Sequence, residues 1–279
     1  MARSSHGRRN IWYVFPPPLR RRRLRGWVAA LVLGASSAAA AAPPTPAAPA
    51  TAAQKPIAWQ EIGPGATRAT LLASDGVTPI LLFRFRFDRF RAEVVVGTGS
   101  PPLAETATDL RRRRRAVAAV NGGFFDERGA PLGLRIAQAR ERAPLRRNVD
   151  WGVLLLDATG ARIVHTHDLD PRDPAVGAIQ VGPRLLVHGQ PLKLKPQRAR
   201  RTAVALERGG DALTLVVVDA PIDANELAAR LAEGGFDSAI LLDGGPSTQL
   251  ALDVGTTHLD LPGGYAVPDL LLIVARSRK

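Results

Sequence analysis

Cysteine is absent from all 279 residues. No disulfide, thiolate metal site or cysteine nucleophile therefore enters any reading of the chain. That absence does not assign a compartment. Aromatic residues are scarce at 5%, and there is one methionine. Acidic residues are missing from the first 25 positions, where eight arginines fall. Most of the formal net charge of +13 belongs to this stretch, because the remainder sets 30 basic against 25 acidic residues, a net of +5. A nucleic-acid-binding domain carries its charge on the fold, with aromatics or a known motif beside it. With neither present, nucleic acid is not an expected partner.

What the sequence does have begins with a leader in three parts. An arginine-rich stretch ends at Arg25, an apolar run WVAALVLGA covers residues 27–35, and small residues continue to Ala42. This order predicts an export signal over residues 1–42, with a loose twin-arginine character. The apolar run is shorter than the ~20 residues of a membrane span. No stable span is expected after cleavage, although the alanines also admit an uncleaved anchor. The mature protein is expected in the periplasm or secreted. Residues 43–56 (PPTPAAPATAAQKP) are too poor in large apolar side chains to bury a core and read as an extended linker. One folded domain is expected over residues 57–279.

Within that domain short apolar runs bounded by turns dominate. Residues 79–87 alternate in their second half as a half-buried strand does, and residues 92–96 read as their partner. Residues 152–156 and 162–166 flank DATG, and residues 203–207 and 213–218 flank RGGD, two hairpin signals. Residues 269–274 read as a closing strand. Residues 106–115 and 223–233 read as helices, the second with Leu227 and Leu231 on one face and Gly234-Gly235 as its stop. The expected fold class is α+β or mixed α/β, a single domain around a large, mostly antiparallel or mixed sheet with a few helices.

Three apolar runs each deliver a polar residue: Asn121 before Gly122-Gly123, Asp219, and Asp243 before Gly244-Gly245. If the strands end on one side of the sheet, these residues converge. Taken singly, each is also an ordinary turn former. His165 and His167, two apart, are discounted as a metal site because H-x-H alone is too small a ligand set. The arginines at 111–115 read as a solvated helix end.

Five strings occur in an order that resembles the phosphodiester glycosidase family: AVAAVNGGFFDERGAPLGLRI, IQVGPRLLVHGQP, RRTAVALE, LTLVVVDAPIDANELAARLAEGGFDSAILLDGGPSTQL and YAVPDLLLIVA. They cover roughly residues 116–274. Ala220 and Pro246 stand where the family often has glycine. The resemblance implies one α/β domain, no obligatory organic cofactor, and release of N-acetylglucosamine from a sugar-1-phosphodiester. A glycan or sugar phosphate is then the expected partner. Cleavage at an anomeric carbon passes through an oxocarbenium-like state that carboxylates serve, so Asp243, Asp219 and Glu226 are the candidate catalytic residues. Arg135 and Arg201 are candidates for the phosphate because guanidinium matches its oxygens. Asn121, Gly244, Gly245 and Ser247 complete the expected substrate site, with no metal ligand assigned and metal dependence left open. The competing readings are a non-catalytic glycan-binding envelope protein of the same fold, and a metal-dependent phosphoesterase using Asp219 and Asp243.

Overall fold

The computed structural model describes residues 56–158, 160–170 and 172–276. The expected export leader lies outside the described residues, as does all of the linker but Pro56. Along the chain come β1 (Gln60–Gly63), β2 (Ala66–Leu72), β3 (Pro79–Arg86), β4 (Phe90–Val96), α1 (Ala107–Arg114) and β5 (Ala118–Asn121). Then follow β6 (Arg135–Ala137), β7 (Arg140–Ala143), β8 (Gly152–Leu156), β9 (Ala161–His165), β10 (Gly177–Val181), β11 (Arg184–Val187) and β12 (Gln190–Pro191). The remainder is β13 (Arg198–Leu206), β14 (Ala212–Asp223), α2 (Ala224–Glu233), β15 (Ser238–Leu241), β16 (Leu250–Val254), β17 (Thr257–Leu261) and β18 (Asp269–Ala275).

The strands form three antiparallel sheets, ordered β1-β2-β3-β14-β13-β15-β11-β12, β7-β6-β10-β8-β9 and β17-β16-β5-β18-β4. The expected α+β or mixed α/β domain on a large, mostly antiparallel or mixed sheet with a few helices holds in part: the pairing is antiparallel and the helices are few, but the strands divide among three sheets. The described residues are largely β, and the two helices only cover outer faces. The reason lies in the apolar patterning. On β13, Val204 and Leu206 enter a core shared by all three sheets, while Ala203 and Ala205 face the other way into a second core beneath α2. On β15, Ile240 and Ala239 divide in the same manner. A strand buried on both faces reads as an unbroken apolar run, and such runs here belong to an antiparallel sheet covered on both sides.

Both helices begin at caps written in the sequence. Thr106 accepts the Asp109 N–H at 3.1 Å, and Asp223 accepts the Asn225 N–H at 2.9 Å. The arginines ending α1 are largely paired: Arg111 with Asp253, Arg113 with Glu105, and Arg114 with Glu93. The two expected hairpins form as β8–β9 and β13–β14. One expected pairing does not. β3 lies between β2 and β14, whereas β4 pairs with β18 from the far end of the chain. Among the described residues no helix is long and apolar enough to cross a membrane.

Candidate active site

The site forms where the 8-stranded sheet meets the sheet containing β5 and β18. β15 ends at Leu241, and Leu242 still bonds β13 through its N–H to the Thr202 carbonyl at 2.9 Å. Asp243 follows and donates its N–H to the Gly122 carbonyl at 3.0 Å. This joins the two glycine turns directly. Asn121 fastens the junction: its Nδ2 donates to the Asp243 carbonyl at 2.7 Å, and its Oδ1 accepts from the Thr202 hydroxyl at 2.7 Å. Asn121 is fully buried, and both ends of its amide are used within the protein. It therefore holds the backbone of Asp243, with its own amide out of solvent.

The Asp243 carboxyl is half-buried, with Ser247 as a hydrogen-bond partner. Ser247 is itself buried, and its Oγ lies 3.1 Å from the exposed Tyr265 hydroxyl. Burial pushes the Asp243 carboxyl above the ordinary aspartate range. The Ser247 and Gly244 hydrogen bonds oppose this, nearby Asp269 adds to it, and Arg135 opposes it. Gly244 is needed for close approach, because a Cβ there would lie 2.9 Å from the Arg200 carbonyl. Gly245 has φ +60 with open space on its Cβ side.

Behind the turns lies a buried pair, Arg135 with Asp269, of which only Arg135 is a candidate from the sequence. Asp269, the first residue of β18, accepts the Gly123 N–H at 2.7 Å and forms an ion pair with Arg135 Nε at 3.2 Å. Both side chains are fully buried. The Arg135 guanidinium also donates to the carbonyls of Gln180, Leu134 and Phe124. Arg135, expected to meet substrate phosphate, is thus placed behind the Asn121-Gly122-Gly123 turn and out of solvent. Burial pushes the Asp269 carboxyl up in spite of Arg135, and its Oδ2 has no partner among the described residues.

The remaining candidates separate. Arg201 is on β13 next to Gly244, its Nη1 3.9 Å from where a Gly244 Cβ would lie, and its Nη2 donates to the Gln197 carbonyl. β14 runs on to Asp223, but its pairing with β13 breaks after Val218, and Asp219 opens a bulge of three residues, Asp219 to Pro221, opposite Arg200. Its exposed carboxylate is ion-paired with Arg200, whose own carbonyl packs on Gly244. Asp219 therefore lies two strands over from Asp243, with β13 between them, on the same end of the sheet. Glu226 is not part of this cluster. Its Oε1 accepts the N–H and hydroxyl of Ser74 in the β2–β3 turn, and these bonds hold the carboxyl below its ordinary value.

Aromatic rings flank the Gly122-Gly123 turn: Phe124 packs on Trp151 with centroids 5.0 Å apart, and Phe125 on Tyr265 at 6.3 Å. His165 Nε2 lies 2.8 Å from Asp150. Among the described residues no group of three or more His, Asp or Glu is placed to hold a metal ion together.

The fold has known relatives. The catalytic domain of zebrafish N-acetylglucosamine-1-phosphodiester alpha-N-acetylglucosaminidase, auto-inhibited by its pro-peptide, is similar in fold. It has a TM-score of 0.60 at 19% identity, over 80% of this chain and 87% of that one. A hypothetical protein from Synechocystis gives 0.54 at 18% identity, over 76% of this chain and 62% of that one. A presumed exported protein from Burkholderia pseudomallei gives 0.56 at 14% identity, over 72% and 75%. No curated protein matches the sequence. The phosphodiester glycosidase family matches residues 114–274, which carry Asn121, Asp243, Asp269 and the turns that join them, and the chain belongs to that family.

Proposed function

We propose that this protein is an exported hydrolase that cleaves the glycosidic bond of a sugar-1-phosphodiester resembling N-acetylglucosamine-1-phosphodiester, with Asp243 as its central catalytic carboxylate. The observation that carries this reading is the placement of the half-buried Asp243 carboxyl where the two glycine turns are joined, with its proton affinity raised by burial. A carboxyl so placed can give its proton to a departing oxygen or, once ionised, face the positive charge that develops at the anomeric carbon. A departing phosphate ester is already a weak base, so positive charge serves it more than proton transfer. The Arg200–Asp219 pair on the rim, with Arg201 beside Gly244, is assigned to that end of the substrate. Asn121, Ser247, Arg135 and Asp269 act as positioning residues, and Tyr265 meets the sugar. Export rests on the leader's composition and on the fold shared with a presumed exported protein.

The test is a screen of the purified protein against sugar-1-phosphodiesters and aryl glycosides, with and without chelator. Phosphodiester cleavage that survives chelator and falls about a hundred- to thousandfold in Asp243→Asn is expected, the size of one lost charge interaction at a transition state. Chelator-sensitive turnover supports a metal-dependent phosphoesterase instead. Glycan binding without turnover supports the non-catalytic reading.

A further inference from the structure

A cavity of about 630 Å³ lies apart from the Asp243 site. Its wall includes residues 91–98 in unbroken sequence. Successive residues of a strand point to opposite faces. A cavity touched by all of them therefore faces the strand's edge, not one of its sides. β4 is the last strand of its sheet.

The ladder fixes which backbone groups line that edge. The Gly97 N–H donates to the Pro268 carbonyl at 2.7 Å, and β4 and β18 keep an unshifted antiparallel register from there. Hydrogen-bonded and non-bonded pairs alternate in such a ladder. Residues 91, 93 and 95 exchange bonds with β18, while Ala92, Val94 and Val96 turn their N–H and C=O groups outward. The carbonyl of Asp269, opposite Val96, bonds Gly122 on the other side of β18, as this alternation requires. No hydrogen bond reaches the outward groups of these three residues among the described residues. No proline or bulge blunts the edge.

The lining also has a sign. Five arginines stand against Glu93, Glu105 and Asp157. Glu93 is held by Arg91 and Arg114, and Glu105 by Arg113. Arg142 makes no ion pair or hydrogen bond among the described residues, and Arg276 donates to backbone carbonyls. Leu103 and Val176, two of the few exposed large apolar side chains, both line this cavity. The geometry points to a strand-addition site in which an extended segment of another polypeptide, alternating acidic and apolar side chains, pairs with the outer edge of β4. Its amides take the outward groups of Ala92, Val94 and Val96, and its acids meet Arg142 and the arginine rim. A second copy of this chain fits less well, because the same cationic rim would face itself.

The probe is a fluorescein-labelled heptapeptide of alternating valine and glutamate, titrated against the full chain by anisotropy. Saturable binding is expected. An analogue N-methylated on alternate amides, which keeps the charge and loses the ladder, should bind at least about tenfold more weakly, since each lost hydrogen bond costs several-fold. The lysine counterpart should not bind, and Arg142→Glu should weaken the acidic peptide. Val96→Pro removes an outward N–H without touching β18, a change that edge strands tolerate, and should weaken binding several-fold in a protein that still melts cooperatively. Equal binding of the N-methylated or lysine peptide, or no saturation, overturns the proposal. So does a dimer in sedimentation velocity that Val96→Pro dissociates, which would give the edge to a second copy.

Discussion

At the scale of single residues, the site depends on Asp269 filling the space that a side chain at position 122 would need. A Cβ on Gly122 would lie 1.7 Å from Asp269 Oδ1, so Gly122→Ala must displace the carboxylate from Gly123 and Arg135. Asp269→Asn is gentler: it keeps the shape but leaves Arg135 buried without a counter-charge. Breaking one side of a buried ion pair costs about 3–5 kcal/mol. The expected outcome is a loss of that order in chemical denaturation of Asp269→Asn. Because the Asp269 charge raises the proton affinity of Asp243, the limb of the pH–rate profile that reports Asp243 should also move to lower pH. A stability loss with no movement of that limb would confine Asp269 to holding the turn.

Asp243 carries a stability prediction of its own. Burial sets its folded-state pKa above the unfolded value near ~3.9. Its contribution to stability is complete below that unfolded value and is lost as pH rises through the raised folded one. Asp243→Asn has no such loss. The variant should melt higher than the wild type at pH 8, by roughly 2–4 °C for each kcal/mol in a domain of this size, with the margin closing near pH 4. Melts of both proteins across that range decide it, and a margin independent of pH would mean that Asp243 ionises as a surface carboxylate does.

Among the elements, α2 shows how a plausible catalytic residue can be an anchor. Glu226 stands in the first helical turn and ties it to Ser74. Its pKa is depressed by those bonds, so its contribution is present above its unfolded value and lost as pH falls through the depressed one. The pair is mostly in contact with water, and screening limits it to about 1 kcal/mol or less. Glu226→Gln should therefore lower the melting temperature slightly at pH 7, less at pH 3, and leave turnover unchanged. A hundredfold loss of turnover would restore Glu226 to the catalytic list. What was legible in the sequence follows the same division. Asp243 and Asn121 could be found because each ends a fully apolar strand before two glycines, a local signal. Asp269 could not, because an acid that opens an apolar strand looks like any strand boundary, and its meaning lies in Arg135, far away in the chain. The pairing of β4 with β18 was hidden for the same reason: alternation predicts a strand and a buried face but not a distant partner. Asp219 was legible as the residue after an apolar run, because the regular pairing of β14 with β13 also stops at Val218; the bulge that resumes the strand at Ile222 left no local signal.

At the scale of the whole molecule, charge is divided unevenly along the chain, and this leads to the last prediction. Eight of the 38 basic residues lie in the first 25 positions with no acid among them, followed by the apolar run to Ala35 and the small residues to Ala42. A basic segment of this kind serves translocation, with the arginines held on the cytoplasmic side while the apolar run enters the membrane and small residues fit the processing enzyme. It has no evident use in a domain whose own charge is near balance. The mature protein should therefore begin after the alanine run, outside the cytoplasm, and carry a net charge close to +5 instead of +13. N-terminal sequencing of protein from fractionated cells measures this directly. Replacing Arg20 to Arg23 by glutamate should hold the precursor in the cytoplasm at its full length, because the n-region would then carry the wrong sign. An intact Met1 on soluble cytoplasmic protein would remove the export reading, and would leave the arginines to be explained by another partner.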